Sequence, residues 1–206
     1  MPPLLLRSLC AILLALSYLS SPARGLPEGR TLIGYRTAEA DLINAKNEVR
    51  RDEAFDDRGL FRNSIGFGIY MVPEPAGWPA QPGDWHCALT ADSRKIERID
   101  KAWIKYTWIR EKDDEIELLN LIGDEERIVE YLGTLVAEPE RALRFSDVGA
   151  REELQMLIPT AVVNGGDLDL WAVCFETEAE LRAFSDEVVD WEAWGDIQGE
   201  PQHGYS

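Results

Sequence analysis

The order in which strands and helices follow one another constrains the fold of this chain most. Short runs rich in β-branched and aromatic residues predict strands towards both ends, and helical patterns fall between them. Because helices do not separate the strands regularly, a doubly wound parallel sheet is disfavoured. We therefore expect an α+β fold. The predicted strands are residues 31–36, 68–72, 86–89, 101–104, 142–145, 154–158 and 168–175.

Helical signals occur in three places. Thr37 is expected to cap a helix directly after the first strand. A second helix is predicted over residues 125–136 from apolar residues at helical spacing. A third begins at Thr177, which forms a capping box with Glu180. The apolar positions expected along the first helix are Ala38, Leu42, Ala45 and Val49.

Composition and charge exclude some classes of partner. The chain has 206 residues, of which 45% are hydrophobic, and this fits one globular domain. Its net charge is −17 and its pI is about 4.5. Binding to nucleic acid or to an anionic membrane needs clustered Lys and Arg. We therefore expect neither partner, and we expect a monomer.

The N-terminus has the pattern of a secretory signal peptide. A cation at Arg7 precedes a short apolar run, and small residues follow it where a peptidase would cut. A membrane anchor is the alternative, but the apolar run is too short to span a bilayer. We expect residues 1–25 to be removed by cleavage near residues 23–25. Residues 26–206 would then be a secreted domain with an acidic C-terminal helix and a short tail.

Two of the three cysteines remain after such cleavage. An even pair in a secreted protein usually forms one disulfide, so we predict a Cys87–Cys174 bond. The long loop that this bond closes makes it worth about 4 kcal/mol in the chain-entropy model. A reactive thiol is the alternative, but no catalytic His or Asp pattern surrounds either cysteine.

Residues 72–83 form a loop with four prolines and two glycines, which exclude both a helix and a strand ladder. The loop is either a surface connection held by Trp78 or the rim of a site. Elsewhere the common catalytic motifs are missing, including the phosphate loop, the zinc helix and the nucleophile elbow. With two histidines in the chain, a metal cofactor is not expected.

Three separated fragments carry the strongest functional signal. They are Gly-Tyr-Arg-Thr at residues 34–37, Gly-Phe-Gly-Ile-Tyr at residues 66–70 and Glu-Leu-Gln-Met-Leu-Ile-Pro at residues 153–159. In kind, order and spacing, this set resembles the ADP-ribosyltransferase superfamily, most closely the secreted enterotoxin-like proteins of fungi, which belong to its cholera-toxin-like branch. The resemblance implies two small, packed, mostly antiparallel sheets around an NAD cleft with flanking helices. NAD would be the substrate.

The resemblance implies roles for the first two fragments. Arg36, flanked by Tyr35 and Thr37, would hold the phosphate or ribose oxygens of NAD with its planar fork. The alternative for Arg36 is a surface ion pair at a strand end. Ser64 would stand in for the serine of the Arg-specific branch.

In the second fragment, Gly68 would permit a close backbone approach, and Tyr70 would stack on nicotinamide. A glycine-bent strand with a core tyrosine is the alternative for this fragment.

The third fragment departs from the family pattern. Gln155 stands where the resemblance expects the catalytic Glu, and Glu153 stands at its upstream partner. A neutral amide cannot stabilise an oxocarbenium ion, although a shift of register would bring Glu152 or Glu153 inward instead. Two hypotheses follow: a secreted toxin that transfers ADP-ribose from NAD to a host protein or hydrolyses NAD, or a catalytically impaired effector with the same fold that binds a partner protein.

Overall fold

The computed structural model describes residues 26–39, 63–112, 115–148 and 153–202. The predicted signal peptide lies outside these residues, as does most of the helix predicted after Thr37. Within them the chain combines sheets with short helices, so the α+β class is confirmed. The strands are β1 (Arg30–Glu39), β2 (Gly68–Met71), β3 (Asp84–Asp92), β4 (Lys101–Trp103), β5 (Thr107–Lys112), β6 (Glu115–Asn120), β7 (Leu143–Asp147), β8 (Leu154–Pro159) and β9 (Trp171–Phe175). The helices are α1 (Ser93–Arg98), α2 (Glu125–Leu132), α3 (Thr160–Gly165) and α4 (Glu178–Phe184).

The first sheet is three-stranded and antiparallel, in the order β1-β3-β9. Cys87 of β3 lies directly opposite Cys174 of β9, and the two form a disulfide. The predicted pairing of these cysteines is therefore confirmed.

The second sheet has four strands in the order β2-β8-β7-β4. The β4–β7 pair is parallel and the other pairs are antiparallel. The two sheets meet at one backbone pair, Tyr35 and Val72, which exchange hydrogen bonds of 2.8 and 2.9 Å. This pair therefore links the two sheets where β1 passes the end of β2.

Each face of the four-stranded sheet is covered by its own hydrophobic cluster. The main core includes residues of both sheets, and the rings of Trp103 and Trp191 pack on Phe145 with centroids 5.6 and 5.7 Å away. The smaller cluster contains Leu157 of β8 together with Ile128 of α2. Because β8 alternates sides, it contributes to both clusters and is the centre of the fold.

Strand β1 is longer than the sequence predicts. Thr37 pairs with His86 and Ala38 with Trp85, so both residues continue the ladder with β3. Thr37 is consequently a strand residue and not a helix cap, because non-local pairing overrides its local capping preference. Leu42, Ala45 and Val49 lie outside the described residues.

Two other elements are shorter than predicted. Strand β9 begins at Trp171, because Asp169 turns the backbone with a φ of 51° and its carbonyl accepts a 2.6 Å bond from Arg30. Helix α2 ends at Leu132, where the chain leaves the helix through Gly133. The capping box of α4 is confirmed, with Thr177 and Glu180 each bonding the other's backbone N–H.

Helices α1 and α3 and the β5–β6 hairpin were not predicted from the sequence. The hairpin forms a separate two-stranded sheet, and Ile109, Ile116 and Leu118 on one of its faces are exposed. Helix α1 is capped by Asp92, whose carboxylate accepts bonds from two backbone N–H groups.

Candidate functional site

Several polar side chains lie on the face of the four-stranded sheet that is turned away from the main core. On β8, Met156 and Ile158 pack in that core, so Gln155 projects to the other face. On β7, Phe145 packs in the core, and Arg144 and Ser146 project to the other face in the same way. The register places Gln155 directly opposite Ser146.

Gln155 is the centre of a buried polar network. Its amide nitrogen donates to Ser146 Oγ at 2.9 Å, to Ser64 Oγ at 3.4 Å and to the Asp147 carbonyl at 3.3 Å. The side chain is 5% exposed. The structure thus brings together Gln155 and Ser64, two of the residues predicted from the sequence.

The hydroxyl of Tyr70 joins this network through a side-chain hydrogen bond with Ser64. The hydroxyl donates to the Gly66 carbonyl at 2.8 Å and accepts the Ile65 N–H at 3.0 Å. Burial raises the pKa of Tyr70 to about 12. Its ring packs against the smaller hydrophobic cluster. In the structure, Tyr70 therefore fixes the chain segment before β2, which corresponds to the core-tyrosine alternative.

An ion pair that was not predicted holds the same segment. Arg144 is completely buried and forms two 2.8 Å bonds with the carboxylate of Glu125, the first residue of α2. Arg144 also donates to the Ile65 carbonyl at 3.0 Å, and Glu125 accepts the Phe67 N–H at 3.1 Å. The sequence signal was a lone cation in the apolar strand Ala-Leu-Arg-Phe, since a buried Arg requires a partner.

The two glycines of this segment are required by close approaches within the chain. Gly66 has a φ of 111°, and a Cβ there would overlap the guanidinium of Arg144 and the carboxylate of Glu125. A Cβ on Gly68 would overlap the carbonyl oxygen of Ile158 on the neighbouring strand. The predicted close approach at Gly68 is therefore one between strands β2 and β8.

The predicted residues of β1 are divided between its two faces. Tyr35 is fully buried, and its hydroxyl donates to the Glu187 carbonyl at 2.7 Å and lies 2.9 Å from Ser185 Oγ. Burial raises the pKa of Tyr35 above its ordinary value. Arg36 projects to the opposite face, in register with Cys87. Tyr35 is therefore a core residue, and Arg36 lies on the side of the disulfide.

Glu153 lies outside the buried network. It precedes β8, is exposed, and lines a cavity of about 570 Å³ together with Glu74 of the Pro-rich loop. Pro73 and Gly77 of that loop also line the cavity, so the loop forms its rim. Glu152, the other carboxylate considered for this position, lies outside the described residues.

Two further observations concern the described part of the chain. No group of three or more His, Cys, Asp or Glu side chains there is arranged to hold a metal ion. No helix within residues 26–39, 63–112, 115–148 and 153–202 is long and apolar enough to cross a membrane.

A comparison with known protein families finds a match. The profile of a family of unknown function (DUF5910) matches residues 63–200. This range contains the whole four-stranded sheet, with the side chains that it contributes to both hydrophobic clusters. It also contains the residues that line the cavity at Glu153. Neither a curated protein nor a solved structure matches the chain.

Proposed function

The chain belongs to the DUF5910 family, and we propose that it is a secreted effector that binds a partner protein through an ADP-ribosyltransferase-like fold without cleaving NAD. One observation carries this proposal. Gln155 stands where the resemblance to the transferases expects the catalytic carboxylate, and its amide nitrogen is bonded to Ser146 and to the Asp147 carbonyl.

The chemistry of NAD cleavage explains why this residue matters. Loss of nicotinamide leaves positive charge on the ribose, and a carboxylate stabilises that charge far better than a neutral amide does. The Gln155 side chain is neutral and its amide nitrogen is bonded to Ser146 and Ser64, so it offers no carboxylate to a developing cation. In this proposal β8, the strand that resembles the catalytic strand of the transferases, has a structural role and no catalytic one.

A second candidate, an NAD-dependent ADP-ribosyltransferase or NAD glycohydrolase, is favoured by one contact. Ser64 Oγ and Gln155 Nε2, two of the residues to which the resemblance assigns roles, lie 3.4 Å apart. In this candidate the carboxylate is that of Glu153, which lies two residues before Gln155 and lines the cavity. Arg36 holds the phosphates of NAD. NAD would be consumed as a substrate, and no metal would be needed.

Nicotinamide release separates the two candidates. The purified protein is incubated with NAD, nicotinamide is followed by chromatography, and NAD binding is measured by calorimetry. We expect neither turnover nor binding for the natural protein. If the natural protein releases nicotinamide and Glu153→Gln abolishes this activity, the second candidate, the enzyme, would replace the proposal.

The variant Gln155→Glu tests the resemblance itself. If the fold is a transferase fold that has lost its carboxylate, this variant gains nicotinamide release, because the charge is restored at nearly unchanged volume. Gln155→Met is the matched control, since it keeps the volume and adds no charge.

A further inference from the structure

The cavity at Glu153 is a groove with apolar walls. Its walls include Val72, Pro73, Leu154 and Trp191, and its volume of about 570 Å³ is typical of a binding site. Val188 also lines the groove and is 57% exposed. An exposed aliphatic side chain beside apolar walls leaves a surface that gains free energy when a partner covers it.

The polar lining of the groove is acidic. Four carboxylates, those of Glu74, Glu153, Asp190 and Glu192, lie along it, and no Lys or Arg of the described chain lines it. None of the four carboxylates forms an ion pair with a described cation, although Asp190 accepts the Ala193 N–H at 3.1 Å. A cation that docks here therefore displaces none of the cations within the described residues.

The walls of the groove are held in place by bonds between its two sides. Val189 donates its N–H to the Pro73 carbonyl at 3.0 Å, and Arg182 of α4 donates to the Pro75 carbonyl at 2.9 Å. Trp191 donates its indole N–H to the Ile33 carbonyl at 2.9 Å. A ligand thus meets a formed groove and does not have to order it, which favours affinity.

We propose that this groove binds a short segment of the partner protein in which Lys or Arg alternates with apolar residues. The aliphatic stems of Lys and Arg would lie along the apolar walls while their charged ends meet the carboxylates. An anionic ligand such as a dinucleotide is repelled by the same carboxylates. This inference rests on the proposed function as a partner-binding protein and specifies where and what it binds.

Three labelled peptides of equal length test the chemistry of the groove. The first alternates Arg with Leu, the second replaces each Arg by Glu, and the third replaces each Leu by Ser. Binding to the full-length protein is measured by fluorescence anisotropy at low and at physiological salt. We expect the first peptide to bind best and its affinity to fall with salt. Equal affinity for the second or the third peptide would overturn the proposal.

A pair of variants tests the location. Glu153→Gln combined with Glu192→Gln should weaken the Arg-Leu peptide roughly tenfold, because two opposing charges are lost. The matched control is Glu111→Gln combined with Glu140→Gln, which removes the same charge from exposed residues outside the groove. An equal loss of affinity in both double variants would show that the peptide binds to the overall negative charge of the protein. It would overturn the proposal that the groove is the binding site.

Backbone amide NMR shifts give a second measure of location. The Arg-Leu peptide should perturb the amides of residues 72, 74, 76, 77, 153, 154 and 188–192, and shifts confined to other residues would contradict the proposal. Failure of the groove is distinguishable from failure of the proposed function. Nicotinamide release would refute the proposed function, whatever the peptides do. If the protein releases no nicotinamide and binds the three peptides equally, only the proposal about the groove is refuted.

Discussion

Both faces of the four-stranded sheet are buried under a hydrophobic cluster, but only one of them also carries a network of polar side chains. On the face towards the main core, Phe145, Met156 and Ile158 pack against apolar side chains. On the opposite face, Arg144, Ser146 and Gln155 are also buried, and hydrogen bonds hold them, although the Nε of Arg144 has no partner among the described residues. Apolar packing tolerates small changes in side-chain position, whereas a buried polar network fails when one partner is missing. The difference shows that burial alone does not identify which interactions hold a sheet.

Removing a ring from the apolar face should have the largest effect. Phe145 contacts Trp103, Trp191 and Trp194, with ring centroids 5.6 to 6.0 Å away. We expect Phe145→Ala to lower the free energy of unfolding by about 4 kcal/mol, because a cavity remains among these rings. Urea denaturation measures the change, and Phe145→Leu should cost less. A loss below about 1 kcal/mol would show that the core collapses around the deletion.

Breaking the ion pair on the polar face should have the next largest effect. Arg144→Met leaves the Glu125 carboxylate without its cation and removes the donor to the Ile65 carbonyl, and we expect a loss of about 3 kcal/mol in the free energy of unfolding. Adding Glu125→Leu should recover part of the lost stability, because both charges are then gone. The control is Arg127→Met, which removes an exposed pair with Asp124 and an exposed bond to the Asn120 carbonyl. If the double variant is less stable than Arg144→Met, the pair contributes mainly through its bonds to the segment before β2.

Tyr70 should have the smallest effect of the three, and the effect depends on pH. Its pKa is raised by burial to about 12 in the folded protein, against about 10 in an unfolded chain. The stability it contributes is therefore complete below pH 10 and is lost as pH rises towards 12, by about 2 kcal/mol. Tyr35 and Tyr131, whose pKa values burial also raises, contribute in the same direction.

The contribution of Tyr70 is isolated by comparing the natural protein with Tyr70→Phe in urea titrations at several pH values. The natural protein should lose more stability than the variant between pH 10 and 12. Parallel losses in the two proteins would mean that the Tyr70 hydroxyl ionises as readily in the folded state as in the unfolded one.

Local signals in the sequence predicted much of the fold. The capping box at Thr177 and the apolar run of β8 both depend on neighbours in the chain, and both are in place. The course of β1 beyond Arg36 depends on β3, some 50 residues away, so the capping preference of Thr37 was misleading. The hairpin was missed, although residues 115–118 alternate between polar and apolar side chains, and its apolar side chains Ile109, Ile116 and Leu118 are exposed.

The candidate site was predicted in part. The contact between Ser64 and Gln155 and the cavity at Glu153 involve residues that the sequence singled out. The partner of Arg144 could not be predicted, because Glu125 belongs to a helix whose position against β7 is set by packing. The same holds for Tyr35 and Tyr70, whose hydroxyl partners are chosen by the tertiary structure.

The position of the Cys87–Cys174 bond has a consequence for the order of folding. Strands β4 to β8 lie between the two cysteines along the chain, so the bond encloses most of the four-stranded sheet in one covalent loop. Strand β9 reaches β3 only after that long insertion has become compact, because closing an extended loop of this length is entropically unfavourable. We therefore expect the thiols to oxidise late, after the enclosed sheet has formed, so that the bond locks a structure that already exists.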